Sequence, residues 1–308
     1  MWMIIIPLLA GCVLSYKWPS LASRLPVAAI TNISLILLLM VMGARIGADP
    51  EVVSQIASLG IQAFVLAWAT VIGSTLVLYL LQFGLARELA VKGADEDGEA
   101  VPTAGGSYGL TLMLLGSVLF GIILGLSFLP ASALPLLADL TTWILGLLLL
   151  GIGLDLGGST KAFAQLKTIG PRIVMIPAGI IVGSIAGGVV VAFVWGIMAW
   201  NEAAAVASGF GWYSLSSVLI GEMHSPWLGA IAFVANVFRE LIAIIITPLL
   251  ARWLGPVSAL GPAGATAMDV MLPVIAKGAG REYVPLAFFS GATLSLAVAF
   301  FVNFFINI

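Results

Sequence analysis

Two carboxylates interrupt long apolar stretches of this sequence. Glu240 lies near the centre of the apolar segment 226–251, and Asp269 lies in a segment bracketed by Pro262 and Pro273. A charged side chain at the centre of a bilayer costs about 2.5–3.5 kcal/mol on insertion scales, so a functional role is expected. A carboxylate held in a polar cavity can bind a cation or exchange a proton. The structural alternatives are an ion pair between helices for Glu240 and a helix cap for Asp269.

Two further polar residues share the segment of Glu240. Arg239 precedes it directly, and neighbouring positions on a helix point about 100° apart. Each of the two charges is therefore expected to have its own partner. Arg239 could bind a substrate or hold the carbonyl groups of a broken helix. Asn236 lies one turn before Glu240 on a similar face and joins the predicted site.

Neutral polar residues complete the set of candidate site residues. Thr266 lies one turn before Asp269, while Tyr213 and Ser214 occupy the matching place in an earlier segment. Hydroxyl groups in these positions can donate hydrogen bonds to a substrate. The alternative is that they bond one helix to the next within the membrane.

The two segments that carry these hydroxyl groups are rich in small residues. They are Ser208–Leu215 and Pro262–Asp269, and each precedes a long apolar helix. Because glycine adopts non-helical dihedral angles readily, both segments are predicted to be broken helices. A break near the midplane exposes backbone N–H and C=O groups that can bind charged ligands. Close helix packing through small residues is the alternative.

The composition is that of a membrane protein. Of 308 residues, 61% are hydrophobic and only 8% are charged, against about 25% charged residues in soluble domains. This excludes a soluble globular protein and a disordered chain, and the 12 Lys and Arg cannot form a nucleic-acid-binding groove. With one Cys and one His, no His/Cys metal cluster can form. No phosphate-binding loop or catalytic arrangement is present, so neither a cofactor nor an enzyme activity is predicted.

Ten apolar segments predict an all-α polytopic protein. A spanning helix needs about 20 apolar residues, and the seventh segment (204–221) and ninth segment (259–276) carry many small or polar residues. These two are predicted to be broken or half-spanning, which gives eight to ten transmembrane helices. The expected architecture is an inverted repeat with two broken helices, which by analogy resembles that of sodium/proton antiporters and bile-acid symporters.

A weak internal repeat with an offset of 110 residues defines the predicted domains. Gly11 matches Gly121, and Gly73-Ser74 matches Gly183-Ser184. Each copy has three spans, an odd number, so the second copy is expected to be inverted, as in many secondary transporters. Chance matching of glycines is the alternative. The predicted domains are a first repeat (1–85), an acidic cytoplasmic linker (86–107), a second repeat (108–200) and a broken-helix transport core (201–308).

The basic residues predict the orientation, since Lys and Arg accumulate in cytoplasmic loops. With ten spans and an external N-terminus, the outer loops contain only Arg45 and Arg252. The inner loops then contain Lys17, Arg24, Arg87, Lys92, Lys161, Lys167, Arg172, Lys277 and Arg281. Both termini are therefore predicted to face the periplasm of a multi-pass inner-membrane protein.

Three motifs resemble those of the bacterial L-lysine exporter family (LysO-type). They are Ala207–Ser216, the Asn236-x-x-Arg239-Glu240 run, and Gly264–Asp269 followed by Leu272-Pro273. The resemblance implies export of L-lysine and its toxic analogue thialysine across the inner membrane. It also implies that the membrane-embedded acidic residues of the family correspond to Glu240 and Asp269, and that both termini lie outside.

These observations favour exchange of lysine for protons, with one carboxylate that binds lysine and protons in turn. The alternative is an antiporter that exchanges sodium or another small cation for protons with the same carboxylates. A membrane sensor or scaffold without transport is a third possibility. The predicted partners are L-lysine, protons and the lipid bilayer, with no nucleic acid, and a homodimer is left open.

Overall fold

The computed structural model describes residues 2–18, 26–89, 104–157 and 170–308. These residues form helices and connecting turns, with no β-strand among them. In chain order the helices are α1 (Trp2–Lys17), α2 (Val27–Ala48), α3 (Pro50–Leu89), α4 (Ala104–Phe128), α5 (Leu134–Gly157), α6 (Met175–Trp195), α7 (Trp200–Ala207), α8 (Tyr213–Met223), α9 (Pro226–Leu254), α10 (Leu272–Gly278) and α11 (Val284–Ile306).

The long helices match the thickness of a membrane. Six helical stretches in the described part are long and apolar enough to cross it, and shorter apolar helices cover Ile6–Lys17 and Leu112–Phe128. Helices satisfy all their backbone hydrogen bonds internally, as lipid requires. The prediction of an all-α, multi-pass membrane protein is confirmed.

The chain divides into two compact units. The first contains residues 1–54 and 109–164, and the second contains 55–108 and 165–308. Each unit combines segments from both predicted repeats. The four domains expected from the sequence are consecutive stretches of the chain, unlike these two units, and they stay a prediction.

Glycine pairs bring the helices of the first unit into close contact. A Cβ on Gly11 of α1 would lie 2.9 Å from the carbonyl carbon of Gly153 in α5. A Cβ on Gly121 of α4 would lie 3.0 Å from the backbone nitrogen of Ala44, next to Gly43 in α2. With the offset of 110 residues, Gly11 matches Gly121 and Gly43 matches Gly153, so the two contacts are equivalent and reciprocal.

The second unit contains a contact between two repeat-related residues. A Cβ on Gly183 of α6 would lie 2.6 Å from the carbonyl carbon of Gly73 in α3. Gly183 is the repeat equivalent of Gly73. Contact between equivalent positions is expected where two copies of a repeat meet at a two-fold axis, so this contact supports the repeat, and its inversion stays a prediction.

The seventh apolar segment is a hairpin, here called the first hairpin (residues 200–223). It consists of α7, a non-helical tip at 208–212, and α8. His224, just after α8, has its Nε2 2.7 Å from the Oε1 of Glu202 in the first turn of α7. The two ends therefore lie together, and the segment returns to the end of the unit from which it started.

The ninth segment is a second hairpin (residues 255–280), which begins directly after α9. Its tip contains the 3-10 turn Gly264–Met268, and α10 forms the returning arm. A Cβ on Gly278, the last residue of α10, would lie 3.0 Å from the Cα of Pro248 in α9. The segment thus returns to the end of α9 from which it departs.

The two hairpins enter the second unit from opposite ends. Helix α9 follows the first hairpin and ends at the base of the second. Helix α11 runs the other way: Gly291, in its first half, packs against the second hairpin's tip at Met268. Near its end, the carbonyl of Phe305 accepts a hydrogen bond from Asn201 Nδ2 of the first hairpin at 3.3 Å. The seventh and ninth segments are therefore broken, as predicted, but the ten-span alternation used for the charge count does not hold for them.

Cysteine labelling can test the first hairpin directly. In a Cys12→Ala background, single cysteines at the exposed positions 199 and 223 are expected to react with an impermeant maleimide from the same face of the membrane. A cysteine replacing Glu282, after the second hairpin, is the control and is expected to react from the other face. Labelling of 199 and 223 from opposite faces would mean that the segment crosses the membrane.

Candidate functional site

The tips of the two hairpins meet in the interior of the second unit. The backbone N–H of Ala265 donates a 2.8 Å hydrogen bond to the carbonyl of Phe210. Both tips adopt left-handed backbone conformations, with φ of +48° at Phe210, +95° at Gly211 and +56° at Gly264. These turns end the helical arms, so polar backbone groups lie within the buried part of the unit.

Asn236 of α9 fastens the first tip. Its Oδ1 accepts a 2.7 Å hydrogen bond from the backbone N–H of Gly211. Its Nδ2 donates to the carbonyls of Val206 at 3.3 Å and Ala232 at 2.9 Å, and to Ser216 Oγ at 3.4 Å. The buried amide therefore supplies an acceptor for the Gly211 N–H, which the break in the helix leaves without a helical partner.

Arg239 of α9 fastens the second tip in a corresponding way. Its Nε and Nη2 donate to the carbonyls of Pro262 and Gly261, both at 3.1 Å. Its Nη1 donates to Ser184 Oγ of α6 at 2.9 Å. The side chain is 1% exposed. This geometry favours the interpretation that Arg239 holds the carbonyl groups of a broken segment.

Glu240 lies beside these two residues on α9. It is 4% exposed, and it follows Asn236 by four residues, which places both on a similar face of the helix. A buried carboxylate is costly without compensation. That Glu240 binds a cation or a proton stays a prediction.

Asp269 lies where the second tip turns into α10. Its Oδ1 accepts a 2.7 Å hydrogen bond from the N–H of Val270, and its own N–H donates to the carbonyl of Thr266 at 3.2 Å. The hydroxyl of Thr266 donates to the Ala263 carbonyl at 2.7 Å. Asp269 therefore has a structural role at the break, and this role is compatible with binding a ligand as well.

The remaining predicted residues lie beyond the meeting point of the tips. Ser214 is exposed at the start of α8. The ring of Tyr213 packs edge-to-face on Phe233, with centroids 5.2 Å apart. Asn236, Arg239 and Thr266 are thus placed around the tips, whereas Ser214 is not.

Several residues at the tips were missed by the sequence reasoning. Ser184 accepts from Arg239, Ser216 contacts Asn236, and Phe210 supplies the carbonyl that joins the tips. The repeat match at Gly183-Ser184 was a usable signal for Ser184. Phe210 lies between Gly209 and Gly211, so its special conformation was not apparent from its residue type.

No group of three or more His, Cys, Asp or Glu residues that could hold a metal ion is found in the part of the chain that the structure describes. The polar groups at the tips are backbone amides, carboxylates, hydroxyls and one guanidinium. Such a set suits a small polar or charged ligand.

The family model described as "Lysine exporter LysO" matches residues 5–115 and 115–306. The chain belongs to this family. The lysine exporter LysO of Escherichia coli K12 is 40% identical over 195 residues, covering 63% of this chain and 64% of that protein. The match therefore spans slightly less than two thirds of this relative.

A second relative is covered almost completely. A Haemophilus influenzae protein with a provisional lysine-exporter name is 33% identical over 192 residues, which make up 62% of this chain and 96% of that protein. No solved structure matches the chain significantly. The resemblance drawn from the three motifs is confirmed at the level of the family.

Proposed function

We propose that this protein exports L-lysine across the bacterial inner membrane in exchange for protons. The observation that carries the proposal is membership of the lysine exporter family together with a buried carboxylate, Glu240, on the helix whose Asn236 and Arg239 hold the hairpin tips. Asp269, at the end of the second tip, provides a second carboxylate. Lysine carries two ammonium groups and one carboxylate, and carboxylates are the natural partners of its ammonium groups.

Exchange with protons follows from the charge of the substrate. Moving one positive charge outward against a potential of about 100 mV costs about 2.3 kcal/mol. An entering proton cancels this net charge movement. A carboxylate that binds either lysine or a proton, but not both, couples the two movements with a single group, and Glu240 or Asp269 is proposed for this role.

The hairpins strengthen the proposed orientation. If the first and second hairpins each return to their own side, eight helices cross the membrane, and both ends of this chain remain outside. Arg45, in the last turn of α2, is then the single basic residue on the outer side. The inner side contains Lys17, Arg24, Arg87, Lys92, Lys161, Lys167, Arg172, Arg252, Lys277 and Arg281. The bias of basic residues is stronger than with ten spans, in agreement with the positive-inside rule.

Thialysine is proposed as a second substrate. It replaces one methylene of the lysine side chain by sulfur and retains the same charged groups. A site that recognises the two ends of lysine is expected to accept it.

Flux measurements in proteoliposomes test the proposal. Vesicles loaded with labelled lysine are expected to release it faster when a pH gradient drives protons inward than without a gradient, and protein-free vesicles serve as the control. If lysine is not moved but adding sodium releases protons, the alternative small-cation/proton antiporter replaces the lysine exporter. That the protein forms a homodimer stays a prediction, and the flux assay does not depend on it.

A further inference from the structure

Besides its ammonium groups, an amino-acid substrate brings a carboxylate that needs a cationic or N–H partner. Arg239 is already engaged with the protein. Each of its three nitrogens already donates to a protein oxygen, on Ser184, Gly261 and Pro262. Diverting it to a substrate would leave these buried acceptors without their donor, at a cost of about 1–3 kcal/mol each.

Lys277, on the returning arm of the second hairpin, is in a different situation. Its Nζ is buried and has no hydrogen-bond partner among the residues that the structure describes. An ammonium group shielded from water is strongly unfavourable unless an anion or several acceptors compensate for it. Lys277 therefore lies in a place where an anionic group would be stabilised.

A second buried polar group without a hydrogen-bond partner is a hydroxyl on α9. Thr247 of α9 is fully buried, and its Oγ1 also has no hydrogen-bond partner in the described residues. The next residue in sequence, Pro248, packs against Gly278, the residue after Lys277. Thr247 and Lys277 are thus each next in sequence to a residue of this contact between α9 and α10. An ammonium and a hydroxyl can both donate to a carboxylate.

The order of charges along the second hairpin also suits a lysine molecule. Asp269 and Lys277 lie at opposite ends of the stretch formed by α10 and the turn before it. A carboxylate at one end and an ammonium at the other have opposite charge to the two ends of lysine, which four methylenes separate.

We propose that Lys277, assisted by Thr247, binds the α-carboxylate of the substrate, while the carboxylate at the tip binds the side-chain ammonium. The inference rests on the proposed function and adds a residue that distinguishes an amino acid from a simple diamine. The competing interpretation is structural, because a lysine in the last turn of a helix also interacts favourably with the helix dipole.

Uptake of labelled lysine by inside-out membrane vesicles separates the two interpretations. Cadaverine, which is lysine without its carboxylate, is added as a competitor. Lys277→Gln is expected to raise the KM for lysine about tenfold or more, as for loss of a charge-assisted hydrogen bond. The inhibition constant of cadaverine is expected to stay unchanged. Lys277→Arg is expected to restore much of the lysine affinity, and the exposed Arg281→Gln serves as the matched control.

A second variant keeps the test decisive if Lys277→Gln folds poorly. Thr247→Val preserves the shape of the side chain and is expected to raise the lysine KM about threefold, again without an effect on cadaverine. An unchanged lysine KM in these variants, or equal losses for lysine and cadaverine, would overturn the proposed carboxylate site. Wild-type vesicles that take up no lysine would instead overturn the proposed function and this site with it.

Discussion

Replacing Glu240 by Gln is expected to reduce pH-driven lysine flux about a hundredfold, and Asp269→Asn is expected to have a similar effect. Both changes keep the shape of the side chain and remove its negative charge. Loss of one partner of a buried charge pair typically costs about 3–5 kcal/mol, which corresponds to two orders of magnitude or more in affinity. Flux in proteoliposomes, with and without a pH gradient, is the measurement.

Glu222→Gln is the matched control for these variants, because Glu222 is exposed at the base of the first hairpin. It is expected to transport at the wild-type rate. If Glu240→Gln and Asp269→Asn both retained full gradient-driven flux, neither carboxylate would be the coupling site. If the two variants lost flux only because they had also lost thermal stability, the role of the carboxylates would be structural.

Gly264→Ala is expected to destabilise the protein more than any other single methyl addition proposed here. Gly264 has φ of +56°, a conformation that costs an L-residue about 1–2 kcal/mol. The added Cβ would also press against the carbonyl of Phe210 and lie 3.3 Å from Nη2 of Arg239. Overpacking of this kind adds about 1–3 kcal/mol. The thermal unfolding midpoint in detergent is the measurement.

Gly196→Ala separates the two contributions. Gly196 also has a left-handed backbone, with φ of +66°, but a Cβ there meets no atom within 4 Å. Its substitution is expected to lower stability by the conformational cost alone. Equal losses of thermal stability in the two variants would show that crowding at Phe210 contributes nothing to the destabilisation by Gly264→Ala.

Much of this architecture could be predicted because apolar length and small residues leave a clear record in a sequence. The breaks near Ser208 and Gly264 follow from local clusters of glycine and small residues, and Glu240 is conspicuous in an apolar helix. The direction of the chain after each break could not be predicted. A broken span and a hairpin have the same composition, and the difference becomes apparent only from long-range contacts such as that between Glu202 and His224.

The role of each polar residue at the tips was also underdetermined. Two interpretations of Arg239 were open, and the choice depends on carbonyls more than twenty residues later in the chain, at Gly261 and Pro262. Lys277 was counted among the basic loop residues, because its burial results from how the second hairpin returns to α9. Tertiary contacts of this kind carry no local sequence signal.

The fastening of the first hairpin by Asn236 has a consequence for biosynthesis. During translation, the tip at 208–212 leaves the ribosome before the Asn236 amide that accepts from the Gly211 N–H has been made. Backbone N–H and C=O groups without hydrogen-bond partners are not tolerated in lipid. The first hairpin must therefore wait in a hydrated environment, at the insertion machinery or the membrane surface, until α9 follows it. Assembly of the second unit is consequently a late step, completed only when α11 has been synthesised.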